Sequence, residues 1–317
     1  MSLLIRRSGL LSTVQDLGRY GSRRFGINPN GVMDTAAARV VNVMLGNYEN
    51  AAVIEMHFPA CEIEFEATTT FAVGGADFGA ELNGVPMPHF QTVSADAGSV
   101  LRFTAKRKGN RAYLGVAGGV LVEDWFASRS TNLTAGYGGF KGRKLLPGDR
   151  LETGEGISVK DGIGPARSLL PHYSRFPTVR FIPGAEYGLL TAKSEQDLLH
   201  HGFHLSNDSN RMGFRLAGEP LHLLEAKEMI SAAVTFGTMQ LLPDGQLVVL
   251  MADHQTTGGY PRIGHVISHD LPLLGQLGPG DGVGFHAVTI AEAELLSATF
   301  TKDLNLMKMG VRLAAAR

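Results

Sequence analysis

The run Asp253-His254-Gln255-Thr256-Thr257-Gly258-Gly259-Tyr260-Pro261 places an acid, an amide, two hydroxyls and a phenol within eight residues and breaks the backbone with paired glycines. So many donors and acceptors in one short stretch suit a pocket that grips a small polar molecule better than a loop that merely connects two elements. The six apolar residues 247–252 follow the turn signal Pro243-Asp244-Gly245 and predict a buried strand. The polar cluster is therefore expected at a strand end, where a rigid element holds it.

Other clusters carry two readings each. Asp16-Leu17-Gly18-Arg19-Tyr20-Gly21 sets opposite charges three residues apart in a glycine turn. It reads either as a structural ion pair or as Arg19 clamping a carboxylate or phosphate. In Asn28-Pro29-Asn30-Gly31, before Met33-Asp34, a turn and helix cap compete with an anion site made by Asn30 and the amides of the helix start. Asp34 itself is expected to cap. Asn207, Ser209, Asn210 and Arg211 form either a turn or ligand contacts. Ser128-Arg129-Ser130-Thr131 and the basic, glycine-rich run 136–144 lack the Gly-Lys-Ser/Thr ending of a phosphate loop, yet Arg129, Lys141, Arg143 and Lys144 leave an anion-binding loop open against a solvated basic turn.

Three further patterns are set aside. His200-His201-Gly202-Phe203-His204 has no acidic or cysteine partner at ligand spacing, so no metal is expected. Ser268-His269-Asp270 are adjacent and cannot fold onto one another as a triad. Cys61 is expected to be an inert core thiol.

The elements that must position these groups are short. Alternating segments at 60–66, 70–74, 81–85, 99–105 and 111–116 are punctuated by Asn83-Gly84 and Lys108-Gly109-Asn110. One helix is expected after Asp34, with a stripe of Ala36, Ala37, Val40, Val41, Met44 and Leu45, ending at Gly46-Asn47. Three prolines and two glycines in 161–177 suggest a linker. Beyond it, strands are expected at 178–182, 203–206, 214–216, 238–242, 247–252 and 282–287. Helices are expected at 194–201 (Ser194 with Asp197 as a capping box), 270–276, and 290–298 after Thr289 with Glu292. The tail from Lys302 to Arg317 is weakly specified, a frayed helix or disordered. This pattern predicts a mostly β chain of two domains, each a small barrel or sandwich with one or two helices: 1–165, 178–300, and a tail 301–317.

Composition bounds the rest. The 317 residues allow two ordinary domains, and 44% hydrophobic with 19% charged residues describe a globular chain. A net charge of −1 recommends neither nucleic acid nor an anionic membrane as partner. One cysteine fits a reducing compartment, and only three apolar residues precede Arg6-Arg7, too few for a secretory signal. No stretch nears the roughly 20 apolar residues of a membrane helix, so a cytoplasmic location is expected. The 40 glycines favour many strands joined by tight turns.

Taken together, the segments resemble one family from about Gly9 to Phe285. The matching pieces are Val14-Gln15-Asp16-Leu17-Gly18-Arg19, Gly31 with Met33-Asp34, Asn42, Gly46-Asn47, Glu55, Ala117-Gly118-Gly119, Ser128-Arg129-Ser130-Thr131 and Gly148-Asp149. Further on come Asn210 to Leu216, Gln240, Asp253, Gln255 to Pro261 and Pro279-Gly280-Asp281. This resembles the biotin-dependent carboxyltransferase A/B-type family, which includes KipA-like proteins, the C-subunit of bacterial ATP-dependent 5-oxoprolinase, the second allophanate-hydrolase-type subunit and part of urea amidolyase. The resemblance implies two tandem cyclophilin-like β-barrel domains. It also implies a KipI-like B-subunit and an A-subunit as partners, and ATP, held by this chain or by one of them. The implied reaction is a hydrolase one: opening of 5-oxoproline to glutamate, in complex. Departures are His254, where a basic residue such as arginine is expected, Phe58-Pro59-Ala60 and Phe126-Ala127.

5-Oxoproline, urea and the ureido ring of biotin each present an N–H beside a C=O. A lactam is resonance-stabilised, so opening it requires activation of the carbonyl oxygen, for instance by phosphorylation, and fixed donors for the resulting charge. Asp253, Gln255 and Tyr260 are the catalytic candidates, with Asp253 accepting the ring N–H or acting as base. Arg19, Asn30, Arg211, Thr256, Thr257, Gly258 and Gly259 are the substrate-binding candidates. Two rival readings remain at this point. One is a carboxyltransferase component acting on a urea-like substrate with carboxybiotin. In that case the carrier is a separate protein, because Met307-Lys308-Met309 lacks a carrier-domain context. The other is a KipA-like regulator that binds a KipI-type histidine-kinase inhibitor.

Overall fold

The computed structural model describes residues 1–225 and 229–315. Its chain divides into two compact units. The first comprises Met1–Arg19, Asn30–Pro171 and Phe300–Arg317; the second comprises Tyr20–Pro29 and His172–Thr299. Both are built mostly of strands.

In the first unit the strands hydrogen-bond as two sheets. The seven-stranded sheet runs Val120–Leu121, Arg150–Thr153, Ser2–Arg7, Glu62–Phe65, Val100–Phe103, Ala80–Leu82, Val85–Pro86. The five-stranded sheet runs Ser12–Gln15, Val53–Met56, Lys108–Val116, Thr69–Asp77, Thr92–Ala95. Because side chains alternate across a strand, Ile54, Met56, Phe71, Val73, Ala112 and Leu114 of the smaller sheet face one apolar cluster, while Val53, Ala72 and Tyr113 face another. A sheet covered on both faces needs apolar residues at successive positions, so the two-residue alternation vanishes. That is why Val53–Met56, buried at every position, has no alternating pattern to reveal it in the sequence. The segment 81–85 is a hairpin about Asn83-Gly84 rather than one strand.

Helix α1 (Thr35–Met44) supplies the cover on the second face, burying Ala37, Val40, Val41 and Met44. It starts where expected: Asp34 accepts from Ala37 N through its side chain, and Gly46 follows the helix at φ 69°. The cross-strand pair Tyr113 and Glu55 lies beneath this start, with the Tyr113 hydroxyl donating to Glu55 Oε2 at 2.8 Å and accepting from Asp34 N at 2.9 Å.

In the second unit seven strands close into a barrel in the order Thr178–Pro183, Arg262–Val266, Thr238–Leu241, Leu247–Leu250, Gly213–Ala217, Phe203–Leu205, Gly282–Ala287. The last strand returns parallel to the first; the other neighbours are antiparallel. Closure removes the sheet edges. Helix α2 (Ala192–His200) is capped by Thr191, whose hydroxyl accepts from Ser194 N, and not by Ser194 as the sequence suggested. Helix α3 spans Leu271–Gly275.

Helix α4 (Ile290–Ala315) opens with the expected box, Glu292 N donating to Thr289 Oγ1 and Thr289 N to Glu292 Oε2. It then continues through the segment read as a tail, burying Leu304 and Val311; residues 316–317 of that segment lie outside the described residues. Among the described residues, no helix is long and apolar enough to cross a membrane.

Candidate functional site

The polar run sits where the sequence places it, at the end of the barrel strand Leu247–Leu250. Register explains what it meets. Gly213 pairs with Leu250, so the residues before Gly213 lie beside those after Leu250. Met251 N donates to Met212 O at 3.0 Å, and Asp253 N to Arg211 O at 2.8 Å. The side chains follow: Arg211 Nε donates to Asp253 Oδ2 at 2.9 Å and Nη2 to Oδ1 at 3.1 Å, with both residues buried. Two predicted site residues thus form a two-pronged ion pair with each other.

Beyond the pair the chain forms a tip. Thr257–Gly258 bridges to Ala232–Ala233, and Val234 N reaches Thr256 O at 3.3 Å. Buried Gln240, on the neighbouring strand, lies under the tip, with 3.5 Å contacts from its Nε2 to Tyr260 O and from Gln255 Nε2 to its Oε1. A Cβ on Gly258 would stand 2.5 Å from Gln240 Nε2, so glycine lets the tip close down on that amide. Thr257, Gly259 and Tyr260 face outward, Tyr260 being 44% exposed. Tyr260 is thereby exposed while its backbone carbonyl is contacted by Gln240.

The excursion Tyr20–Pro29 packs within this second unit. Asn28 Nδ2 donates to Asp253 O at 3.0 Å and His254 O at 2.7 Å, and Arg23 donates to Val234 O. His254 is almost fully buried, its Nδ1 donating to Gln255 O at 2.5 Å. Burial holds its pKa below the usual imidazole value, and the nearby Arg23 charge pushes the same way. Where a cation was expected the fold therefore has a neutral ring. Local sequence gave no sign of Asn28 or Arg23 as partners of this segment, because their contacts span more than two hundred residues.

Arg19 and Asn30, predicted to bind substrate, lie in the first unit. Arg19 is fully buried. It donates from Nε to Trp125 O (3.2 Å), from Nη1 to Asn30 Oδ1 (2.5 Å) and from Nη2 to Ser130 O (2.7 Å), while its guanidinium lies over the rings of Trp125 and Tyr137. All three kinds of nitrogen are thus engaged by protein acceptors, an anchoring arrangement and not a clamp held open for an anion. Asp16 likewise takes Gly18 N, Arg129 N and the hydroxyls of Ser128 and Ser130.

Gly138 and Gly139 of the glycine-rich loop serve the same core. A Cβ on Gly138 would lie 2.2 Å from Ser130 O, and one on Gly139 1.9 Å from Thr131 Oγ1, so they permit backbone packing against 130–131. Of the loop's cations, Arg143 pairs with Asp149 at 2.7 Å, and Lys141 and Arg143 lie over Phe140. Lys308 of the Met-Lys-Met sequence sits on α4, bound to Glu49 at 2.6 Å. Cys61 is buried, which pushes its thiol up to about 11.

The family model described as carboxyltransferase domain, subdomain A and B, matches residues 25–287. The chain belongs to that carboxyltransferase family. Among its relatives, the 5-oxoprolinase C-subunit of Haemophilus influenzae is 38% identical over 285 residues, covering 90% of this chain and 91% of that one. The 5-oxoprolinase C-subunit of Escherichia coli is 37% identical over 294 residues, covering 92% and 93%. The crystal structure of Kluyveromyces lactis urea carboxylase superposes with a TM-score of 0.89 at 24% identity, over 96% of this chain and 29% of that chain, a likeness of fold.

Proposed function

We propose that this carboxyltransferase-family chain is the C-subunit of an ATP-dependent 5-oxoprolinase, a hydrolase that opens 5-oxoproline to glutamate together with a KipI-like B-subunit and an A-subunit in the cytoplasm. The observation that carries the reading is the near end-to-end match, in both directions, to relatives named as the C-subunit of 5-oxoprolinase. A urea amidolyase relative, from Lachancea kluyveri, is 28% identical and this chain covers 18% of it. That favours the hydrolase reading over a carboxyltransferase component of a large biotin enzyme.

The geometry of the tip supports the following roles. Thr256, Thr257, Tyr260 and the amides of Gly258 and Gly259 are the donors for the lactam carbonyl oxygen, because a developing negative charge is best met by dipoles fixed beforehand. Gln255 and Gln240 hold the tip's backbone. Asp253 and Arg211 are engaged with each other, so their proposed role is to fix the base of the tip. ATP is assigned to a partner subunit, since Gly138 and Gly139 of the glycine-rich loop are packed against Ser130 and Thr131 rather than left open to a phosphate.

The test is reconstitution with the partner subunits and measurement of 5-oxoproline-dependent phosphate release. Substrate-stimulated release is expected, falling about 10²-fold or more with Tyr260→Phe or Thr257→Val, by analogy with removal of one charge-stabilising donor. Binding of the partners without any substrate-stimulated turnover would overturn the reading and leave the KipA-like regulatory role standing.

A further inference from the structure

A cavity of about 700 Å³ in the first unit is lined by Asn47, Tyr48, Arg129, Glu155, Lys308 and Arg312, among others. Its volume is that of a small-molecule site. The way Arg129 is presented to it is specific. Asp16 Oδ1 accepts from Ser128 Oγ at 2.7 Å and Ser130 Oγ at 2.6 Å, and Oδ2 accepts from Arg129 N at 2.7 Å. One carboxylate therefore pins the backbone on both sides of Arg129 and leaves its side chain outside the network. The Nε of Arg129 is shielded from solvent and has no hydrogen-bond partner among the described residues. The Arg129 side chain as a whole lines the cavity, and an anionic oxygen is the strongest acceptor available to a guanidinium.

Helix α4 adds Lys308 and Arg312, four residues apart and so on one face. Lys308 is bound by Glu49, which also holds Arg39 at 2.7 Å. Among the charged residues lining the cavity, Arg129, Lys308 and Arg312 stand against Glu155, an excess of two positive charges. That surplus matches a multiply charged anion better than a single carboxylate.

We propose that this cavity binds a small, multiply charged anion of the phosphate class, with Arg129 as the central donor and Lys308 and Arg312 supplying charge. The Ser-Arg-Ser-Thr motif is then a mount for one arginine. Lys141 and Arg143, two other cations of the basic loop, are stacked on Phe140.

Calorimetric titration of the full chain with inorganic pyrophosphate tests this, with glutamate as the carboxylate control. Saturable, salt-sensitive pyrophosphate binding is expected, weakened at least tenfold by Arg129→Gln and severalfold by Arg312→Glu, with glutamate bound at least tenfold more weakly. Absence of saturable pyrophosphate binding overturns the proposal. So does an Arg129→Gln protein that melts normally and binds like the parent, or glutamate binding as tightly as pyrophosphate. Should Arg129→Gln fail to fold, Arg312→Glu decides alone, since Arg312 is exposed on the helix; unchanged affinity there overturns it.

Discussion

Asp253 and Arg211 are joined twice through their side chains and once through their backbones, at the point where the barrel strand gives way to the exposed tip. Each residue alone is an ionisable group in a buried place; together they are compensated. Removing one partner from such a pair strands the other, which costs about 3–5 kcal/mol, whereas replacing both by apolar groups is close to neutral. Arg211→Met is therefore expected to lower stability by about that amount in urea unfolding, and Arg211→Met combined with Asp253→Leu to restore most of it. A single variant as stable as the parent would show that the pair does not hold the tip.

The excursion Tyr20–Pro29 is tied to the carbonyls of Asp253 and His254 by the one amide of Asn28. Asn28→Ala removes two hydrogen bonds worth about 1 kcal/mol each. The expected outcome is local: faster amide exchange and proteolysis in 20–29, with a shift in global stability of no more than about 2 kcal/mol. Exchange in 20–29 that stays as slow as in the parent would count against Asn28 as the tether.

Asp16 gathers two backbone amides and two hydroxyls in a nearly water-free place. Asp16→Ala leaves these donors unmet, and with bonds to a charged acceptor worth about 1.5–3 kcal/mol each, a loss of more than about 3 kcal/mol is expected in denaturant unfolding. Asp16→Asn keeps one acceptor oxygen and is expected to lose less. Equal losses would mean that the hydroxyl contacts contribute little.

How far these features were legible depends on their range along the chain. The Asp34 cap, the Gly46 stop and the six barrel strands expected between Thr178 and Ala287 depend on neighbours in sequence, and the pattern carried them. Ser12–Gln15 was missed because it is buried at every position despite three polar residues, and a contact such as Gln15 Nε2 to Thr131 O spans 116 residues of sequence. Helix α4 was cut short because its apolar positions are spread around it, with only Leu304 and Val311 buried. At the site, the exposed tip was visible as a cluster of donors. The Arg211–Asp253 pair was visible only as two separate candidates, since 42 residues and a strand register lie between them. Arg19 drew a ligand role from its charge, and only the three-dimensional surroundings reveal the acceptors that occupy it.

The buried histidines give the fold a pH signature with a definite sign. His89, His254, His265 and His269 all have pKa values lowered from 6.5, burial being the largest cause in each. A lowered value means that the folded form binds fewer protons than the unfolded form below pH 6.5, so stability rises with pH there and is complete above it. As pH falls through 6.5 toward the folded values, each ring charges more readily in the unfolded chain and stability drains away. The carboxylates act in a different window. Glu49 and Asp149, lowered from 4.5 and 3.8, contribute stability that is present above those values and lost as pH falls through the folded ones. Between pH 6.5 and 4.5 the slope therefore reports the histidines. His254→Asn keeps a donor near Nδ1 for Gln255 O, and His265→Asn keeps a polar group near Thr235 Oγ1, 3.2 Å from the ring. Thermal melts stepped across this window are expected to show the parent's melting temperature dropping as acid is added and the double variant's dropping less. A parent curve that is flat, or that rises on acidification, would mean that these rings are charged in the fold and that the tip beside His254 carries a cation after all.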